Sequence, residues 1–222
     1  MEEMKKLAGT RAVEFVREGM TVGLGTGSTA YYALEALGRL VEGGCQIRGV
    51  ATSRETESIA VRFGIRVVPL DEVDSIDLAI DGADEVDPSL NLIKGMGGAL
   101  LREKMVACAS RAVIIVIDDS KLVGRLGTKS PLPVEVVPFG HTHTRRRLEA
   151  LGCSPKLRGG EKPFVTDNGN YIYDCRFDGI GNPHELEKAI NGVTGVVESG
   201  LFLDIATRVI VGRKEGCEII ER

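Results

Sequence analysis

The chain has 222 residues, 43% of them hydrophobic and 27% charged, enough apolar mass for one large globular domain or two unequal ones. With a formal net charge of -4 and no basic run longer than Arg145-Arg146-Arg147, it lacks the electrostatic footprint of a nucleic-acid-binding protein. Five scattered cysteines (Cys45, Cys108, Cys153, Cys175, Cys217) without a Cys-x-x-Cys pair argue against a zinc site or disulfide framework, and the mixed-charge N-terminus predicts neither a signal peptide nor a membrane span, so a cytoplasmic setting is expected.

Met4, Leu7, Ala8, Ala12, Phe15 and Val16 recur at three- and four-residue spacing, which predicts an amphipathic first helix ending at Gly19. Strands and helices then alternate. Strands are expected at 21–24, 46–51, 65–68, 78–80 and 112–117, with helices at 28–41, 54–63 and 99–109. Unbroken apolar strands between helices point to a parallel sheet covered on both faces, a doubly wound, Rossmann-like α/β fold. After residue 126 the grammar changes to strand 134–137, helix 144–151, strand 155–157, strand 171–177, helix 183–190 and strand 195–201. This β-α-β-β-α-β order is the split βαβ, or ferredoxin-like, unit. Its second helix carries a start signal in Asn182, Pro183 and Glu185. Apolar runs at 207–211 and 218–220 return to the first sheet. The expected division is a Rossmann-like catalytic domain at 1–126 plus 202–222, with a small ferredoxin-like α+β domain inserted at 127–201.

Ligands of open α/β sheets sit beyond the carboxyl ends of the strands, and three unusual segments fall there. Gly23-Leu-Gly-Thr-Gly-Ser-Thr-Ala30 joins the first strand to a helix. Its backbone N–H groups, with Thr26, Gly27, Ser28 and Thr29, suit an anion at a helix N-terminus, or a simple helix cap. It also satisfies a loose dinucleotide pattern, with Arg54 placed for a 2′-phosphate and Glu55 nearby. Asp81-Gly-Ala-Asp-Glu-Val-Asp87 follows the strand at 78–80. Asp81 and Asp84 are expected to turn toward the sheet edge, and Glu85 and Asp87 toward water; a metal site and a solvated loop are the competing readings. Lys94-Gly-Met-Gly-Gly-Ala-Leu-Leu-Arg-Glu103-Lys104 sets a glycine loop between a cation and a carboxylate, as in a site that closes over its ligand. The alternative pairs Glu103 with Lys104 or Arg102 on the surface. His141 and His143 offer a competing metal reading, but with His184 they are expected to serve as helix-start or solvent-exposed residues.

Together, and in this order, these three motifs resemble the type A ribose-5-phosphate isomerases. Lys121, Pro131-Leu-Pro-Val-Glu-Val, Val165-Thr-Asp-Asn-Gly-Asn and Gly195-Val-Val-Glu-Ser-Gly-Leu-Phe extend the resemblance over nearly the whole chain. The resemblance implies interconversion of ribose 5-phosphate and ribulose 5-phosphate, with Glu103 as general base. It implies that Asp81, Asp84 and Lys94 hold the sugar hydroxyls and assist ring opening and the enediolate. Substrate contacts are implied for Thr26, Gly27, Ser28, Thr29, Gly82, Ala83, Gly95, Met96, Gly97 and Lys121. Lys5, or else Lys6, matches a phosphate-binding lysine of the first helix. Met96 departs from the family, where glycine is common. The resemblance further implies no metal, no organic cofactor, no nucleic-acid or membrane partner, and a homodimer or homotetramer.

That chemistry fits the residues. Moving a carbonyl from C1 to C2 needs a base beside the carbon acid and a cation for the developing oxygen charge. Two rivals use the same features: an NADP-dependent oxidoreductase, from Gly25–Ala30 and Arg54, and a non-catalytic sugar-phosphate sensor.

Overall fold

A computed structural model describes residues 1–222. From the N-terminus the chain forms α1 (Glu2–Val13), β1 (Thr21–Leu24), α2 (Ser28–Glu42), β2 (Arg48–Ala51), α3 (Arg54–Arg62), β3 (Arg66–Val67) and β4 (Leu78–Asp81). Next come β5 (Glu85–Val86), β6 (Leu92–Ile93), α4 (Leu100–Cys108), β7 (Val113–Asp118) and β8 (Leu132–Val136). The remainder is α5 (His141–Glu149), β9 (Ser154–Leu157), β10 (Tyr171–Arg176), α6 (Pro183–Asn191), β11 (Val196–Ser199), β12 (Leu201–Phe202), β13 (Arg208–Arg213) and β14 (Gly216–Glu221). Two units result: Met1–Ala83 with Arg102–Lys121 and Asp204–Arg222, and Asp84–Leu101 with Leu122–Leu203.

The first unit is built on a seven-stranded sheet ordered β14-β13-β7-β4-β1-β2-β3, parallel except for β14. Every residue of β1, β4 and β7 is buried, as expected of strands covered on both faces, with the polar Thr21, Asp81 and Asp118 only at their ends. Val22, Leu24, Ile80, Ile114 and Val116 from the sheet pack with Ala8 and Ala12 of α1 and Leu34 and Leu37 of α2. From β1 the chain winds outward through β2 to β3; from β4 it winds the other way through β7 to β13. The crevice between the carboxyl ends of β1 and β4 is the topological switch point, where doubly wound folds bind their ligands.

The second unit contains a four-stranded antiparallel sheet, β11-β8-β10-β9, with α5 and α6. Numbered within the unit, this is the order 4-1-3-2 expected of a split βαβ repeat. Leu132, Val134, Val136, Leu148, Tyr173, Cys175 and Ile190 form its core. The Asn182 side chain accepts from the Glu185 N–H at 3.4 Å, with Pro183 in the first turn, so α6 starts on the residues that signal it.

The division differs from the expected one at residues 84–101 and, at the edges, at 122–126 and 202–203. The two-residue strands β5 and β6 pair with each other and with β12, and this three-stranded sheet belongs to the second unit. Glu85 departs from expectation for the same reason. Instead of facing water it is fully buried and accepts from the N–H groups of Gly127 (2.6 Å), Lys129 (2.7 Å) and Ser130 (2.5 Å). Asp87 is half-buried and caps its own turn by accepting from Ser89 N and Asn91 N, both at 2.9 Å. His141 lies edge-on to Tyr171 and bonds the Tyr173 hydroxyl through Nδ1 at 2.8 Å, so it packs α5 onto the sheet.

Candidate active site

In the first unit, β1 delivers the loop Gly25–Gly27 to the N-terminus of α2. Gly25 N donates to Ile80 O on the neighbouring strand at 2.9 Å. A β-carbon at Gly25 would overlap the Asp81 carboxylate, so glycine is required for β1 and β4 to bring their ends together. Asp81, the last residue of β4, is 5% exposed, and its Oδ1 accepts from Thr26 N (3.1 Å) and Gly82 N (2.7 Å). An acid expected from sequence to face the sheet edge is thus fixed there by the loop opposite.

The Thr26 hydroxyl turns down, away from the loop's outer face. It meets the hydroxyls of Thr52 (2.8 Å), Ser53 (2.9 Å) and Thr56 (2.9 Å). Thr52 donates on to Leu24 O and Thr56 to Gly25 O, so this cluster is the loop's support. Thr52, Ser53 and Thr56 carry no motif of their own, and Ser53 is recognisable only as the N-cap of α3. Ser28 lies exposed at the start of α2, and its Oγ accepts from Lys5 Nζ of α1 at 2.9 Å. Lys6, the other lysine considered for this position, is exposed. Thr29 is 8% exposed. Next to the loop is a cavity of about 260 Å³ lined by Gly25–Ser28, Tyr31, Glu55 and Ile59.

Glu103 lies in the first turn of α4, where the helix dipole favours a negative charge, and is 4% exposed. Lys104 is 9% exposed. The reading that leaves this pair on the surface therefore fails. Lys121 closes the short 3-10 turn after β7 and is half-buried.

In the second unit, Asp84 and Lys94 flank the loop that precedes α4. Asp84 N donates to Ile93 O (2.8 Å), and its Oδ2 accepts from Met96 N (3.0 Å). Lys94 is 3% exposed; its N donates to Gly200 O at 2.9 Å, and its Nζ stands 5.4 Å from the centre of the Phe202 ring. Gly95 and Gly98 are buried and close a turn through Gly98 N and Gly95 O at 3.0 Å, while Met96 and Gly97 face outward. The Met96 side chain is 44% exposed, so the departure from glycine is accommodated without filling the loop. Gly82 and Ala83 are half-buried links between Asp81 and Asp84.

A model of the family "Ribose 5-phosphate isomerase A (phosphoriboisomerase A)" matches residues 48–216. The chain belongs to the ribose 5-phosphate isomerase A family. It is 50% identical over 218 residues to the ribose-5-phosphate isomerase A of Bacillus mycoides (strain KBAB4), covering 97% of this chain and 98% of that one. Among solved structures, a D-ribose-5-phosphate isomerase in complex with phospho-erythronic acid is 44% identical with a TM-score of 0.96, covering 100% of this chain and 99% of that one. The ribose 5-phosphate isomerase A of Methanocaldococcus jannaschii is 41% identical with a TM-score of 0.94, at coverages of 100% and 99%. Each of the three motifs brings a buried ionisable side chain or the N-terminus of a helix.

Proposed function

We propose that this chain interconverts D-ribose 5-phosphate and D-ribulose 5-phosphate, with Glu103 as the proton shuttle. The observation that carries this reading is the burial of three ionisable side chains from two of the motifs, Asp81, Lys94 and Glu103, in a chain of this family. Buried charges are costly unless they are paired or have work to do. The relative solved with phospho-erythronic acid holds a phosphorylated sugar acid, of the same chemical class as the proposed substrate.

In this mechanism the Glu103 carboxylate takes the proton from C2 of the open-chain aldose. The C2–H electron pair forms the C1–C2 double bond, and the carbonyl electrons move onto O1 to give an enediolate. Lys94 stabilises that oxygen charge. The proton returns from Glu103 to C1, while Asp81 and Asp84 pass the O2 hydroxyl proton to O1. One hydrogen leaves C2 and one reaches C1, so the step needs no external oxidant or reductant. The phosphate is anchored by the N–H groups of Gly27, Ser28 and Thr29, by Ser28 Oγ and by Lys5, with the α2 dipole adding attraction. Gly95, Met96 and Gly97 offer backbone groups to the sugar, and Lys121 makes a further contact. Fixing the substrate by its phosphate supplies orientation, worth roughly 7–11 kcal/mol in favourable cases.

The same reading makes the enzyme a cytoplasmic homodimer or homotetramer acting on a small phosphosugar, without nucleic-acid or membrane partners. Five thiols outside any disulfide suit a reducing compartment, and no helix is long and apolar enough to cross a membrane. The test is direct: purified protein incubated with ribose 5-phosphate is expected to form ribulose 5-phosphate at enzymatic rates. Saturable binding without conversion would favour a sensor and contradict this reading.

A further inference from the structure

The loop Gly95–Gly98 is held by a residue outside the three motifs. Arg158 follows β9 directly, and its guanidinium makes two sets of bonds. On one side Nε donates to Asp174 Oδ2 at 3.0 Å and Nη2 donates to Asp174 Oδ1, a two-pronged pair with side chains only 15% and 20% exposed. On the other, Nη1 donates to Gly95 O (2.9 Å) and Met96 O (3.1 Å). Asp174 is itself fixed in mid-strand, since β10 pairs with β8 and β9 at this position.

Phe164 adds a second restraint. Its N donates to Arg158 O at 2.9 Å, closing the segment between them, and its ring lies 5.9 Å from the guanidinium carbon. A β-carbon on Gly98 would lie 2.5 Å from that ring, and φ there is +83°, so the ring's position requires glycine. Because a trans peptide points its C=O and N–H in opposite directions, capturing two successive carbonyls also sets two N–H groups. The Met96 N–H goes to Asp84, and the Gly97 N–H is turned away from Arg158 at an exposed residue.

We propose that Arg158, locked by Asp174, is a positioning residue that fixes the peptide planes of Gly95–Gly97 so that the loop presents its outward N–H to substrate. This rests on the reading of that loop as a substrate contact, but the restraint itself does not. The test uses the full chain with Arg158→Met and, in case that variant does not fold, Asp174→Asn, which keeps the shape at the site but loses the charge. Hydrogen exchange without substrate reports the restraint, and kinetics with ribose 5-phosphate report its use. Both variants are expected to exchange faster at Met96–Gly98 while the β8–β10 amides stay protected. Their kcat is expected to fall about hundredfold, with KM near the wild-type value because the phosphate anchor is untouched. Unchanged exchange at Met96–Gly98, or kcat at the wild-type level, overturns the proposal. So does faster exchange across the whole sheet, which marks a merely structural role. Should the wild-type chain not turn over ribose 5-phosphate, the functional reading fails, and the exchange measurement still judges the restraint.

Discussion

The two glycine loops are held by different means. The Gly25–Gly27 loop rests on a cluster of hydroxyls, those of Thr26, Thr52, Ser53 and Thr56, with the Asp81 carboxylate accepting the Thr26 N–H. The Gly95–Gly98 loop is gripped by charged side chains, Asp84 at one N–H and Arg158 at two carbonyls. In the first case support comes from the end of β4, the segment after β2 and the start of α3, and glycine is needed for steric room. In the second it comes from the ferredoxin-like unit, and a salt bridge sets peptide orientation.

The contrast can be broken or sharpened by substitution, and the largest effect is expected at the charged loop. Lys94→Met keeps the buried stem and removes the cation. Its kcat should fall by roughly 10²–10³-fold with the fold retained, measured by direct assay and circular dichroism. A milder but two-sided effect is expected for Gly25→Ala, whose β-carbon displaces Asp81. Overpacking of this kind costs about 1–3 kcal/mol, so denaturant unfolding should show that loss together with reduced turnover. A stable, fully active alanine variant would mean that Asp81 does not need its place. Smaller still, Lys5→Met should raise KM about tenfold and leave kcat nearly unchanged, as expected for one charge-assisted bond to a phosphate. Lys6→Met should change neither, because Lys6 is exposed and does not reach Ser28. Equal effects at the two lysines would dissolve the distinction drawn from the Lys5–Ser28 bond.

Much of the fold was legible because its signals are local. β1, β4 and β7 carry apolar runs at 22–24, 78–80 and 113–117, and Asn182-Pro183 announces α6, so both sheets could be anticipated from period and punctuation. The strands β5, β6 and β12 were not, since two residues carry no alternation, and the grouping of 84–101 with the second unit has no local signal. Glu85 looked like one more acid in a solvated run because its partners are backbone N–H groups more than forty residues away, which no side-chain pattern records. The Thr52–Thr56 floor and Arg158 were missed for a related reason. Their contacts are long-range in sequence, and a serine, a threonine or an arginine in a polar segment has many ordinary uses. Asp81, Lys94 and Glu103 were visible as unusual residues at strand and helix ends; it was the family resemblance that ranked Glu103 as the base.

The central claim is that Glu103 moves the proton between C2 and C1. Glu103→Gln keeps the shape of the side chain and removes its basicity, so it should bind ribose 5-phosphate with near wild-type affinity and lose about 10²–10⁴-fold in kcat for ribulose 5-phosphate formation. A folded Gln variant that turns over at close to the wild-type rate would contradict the account.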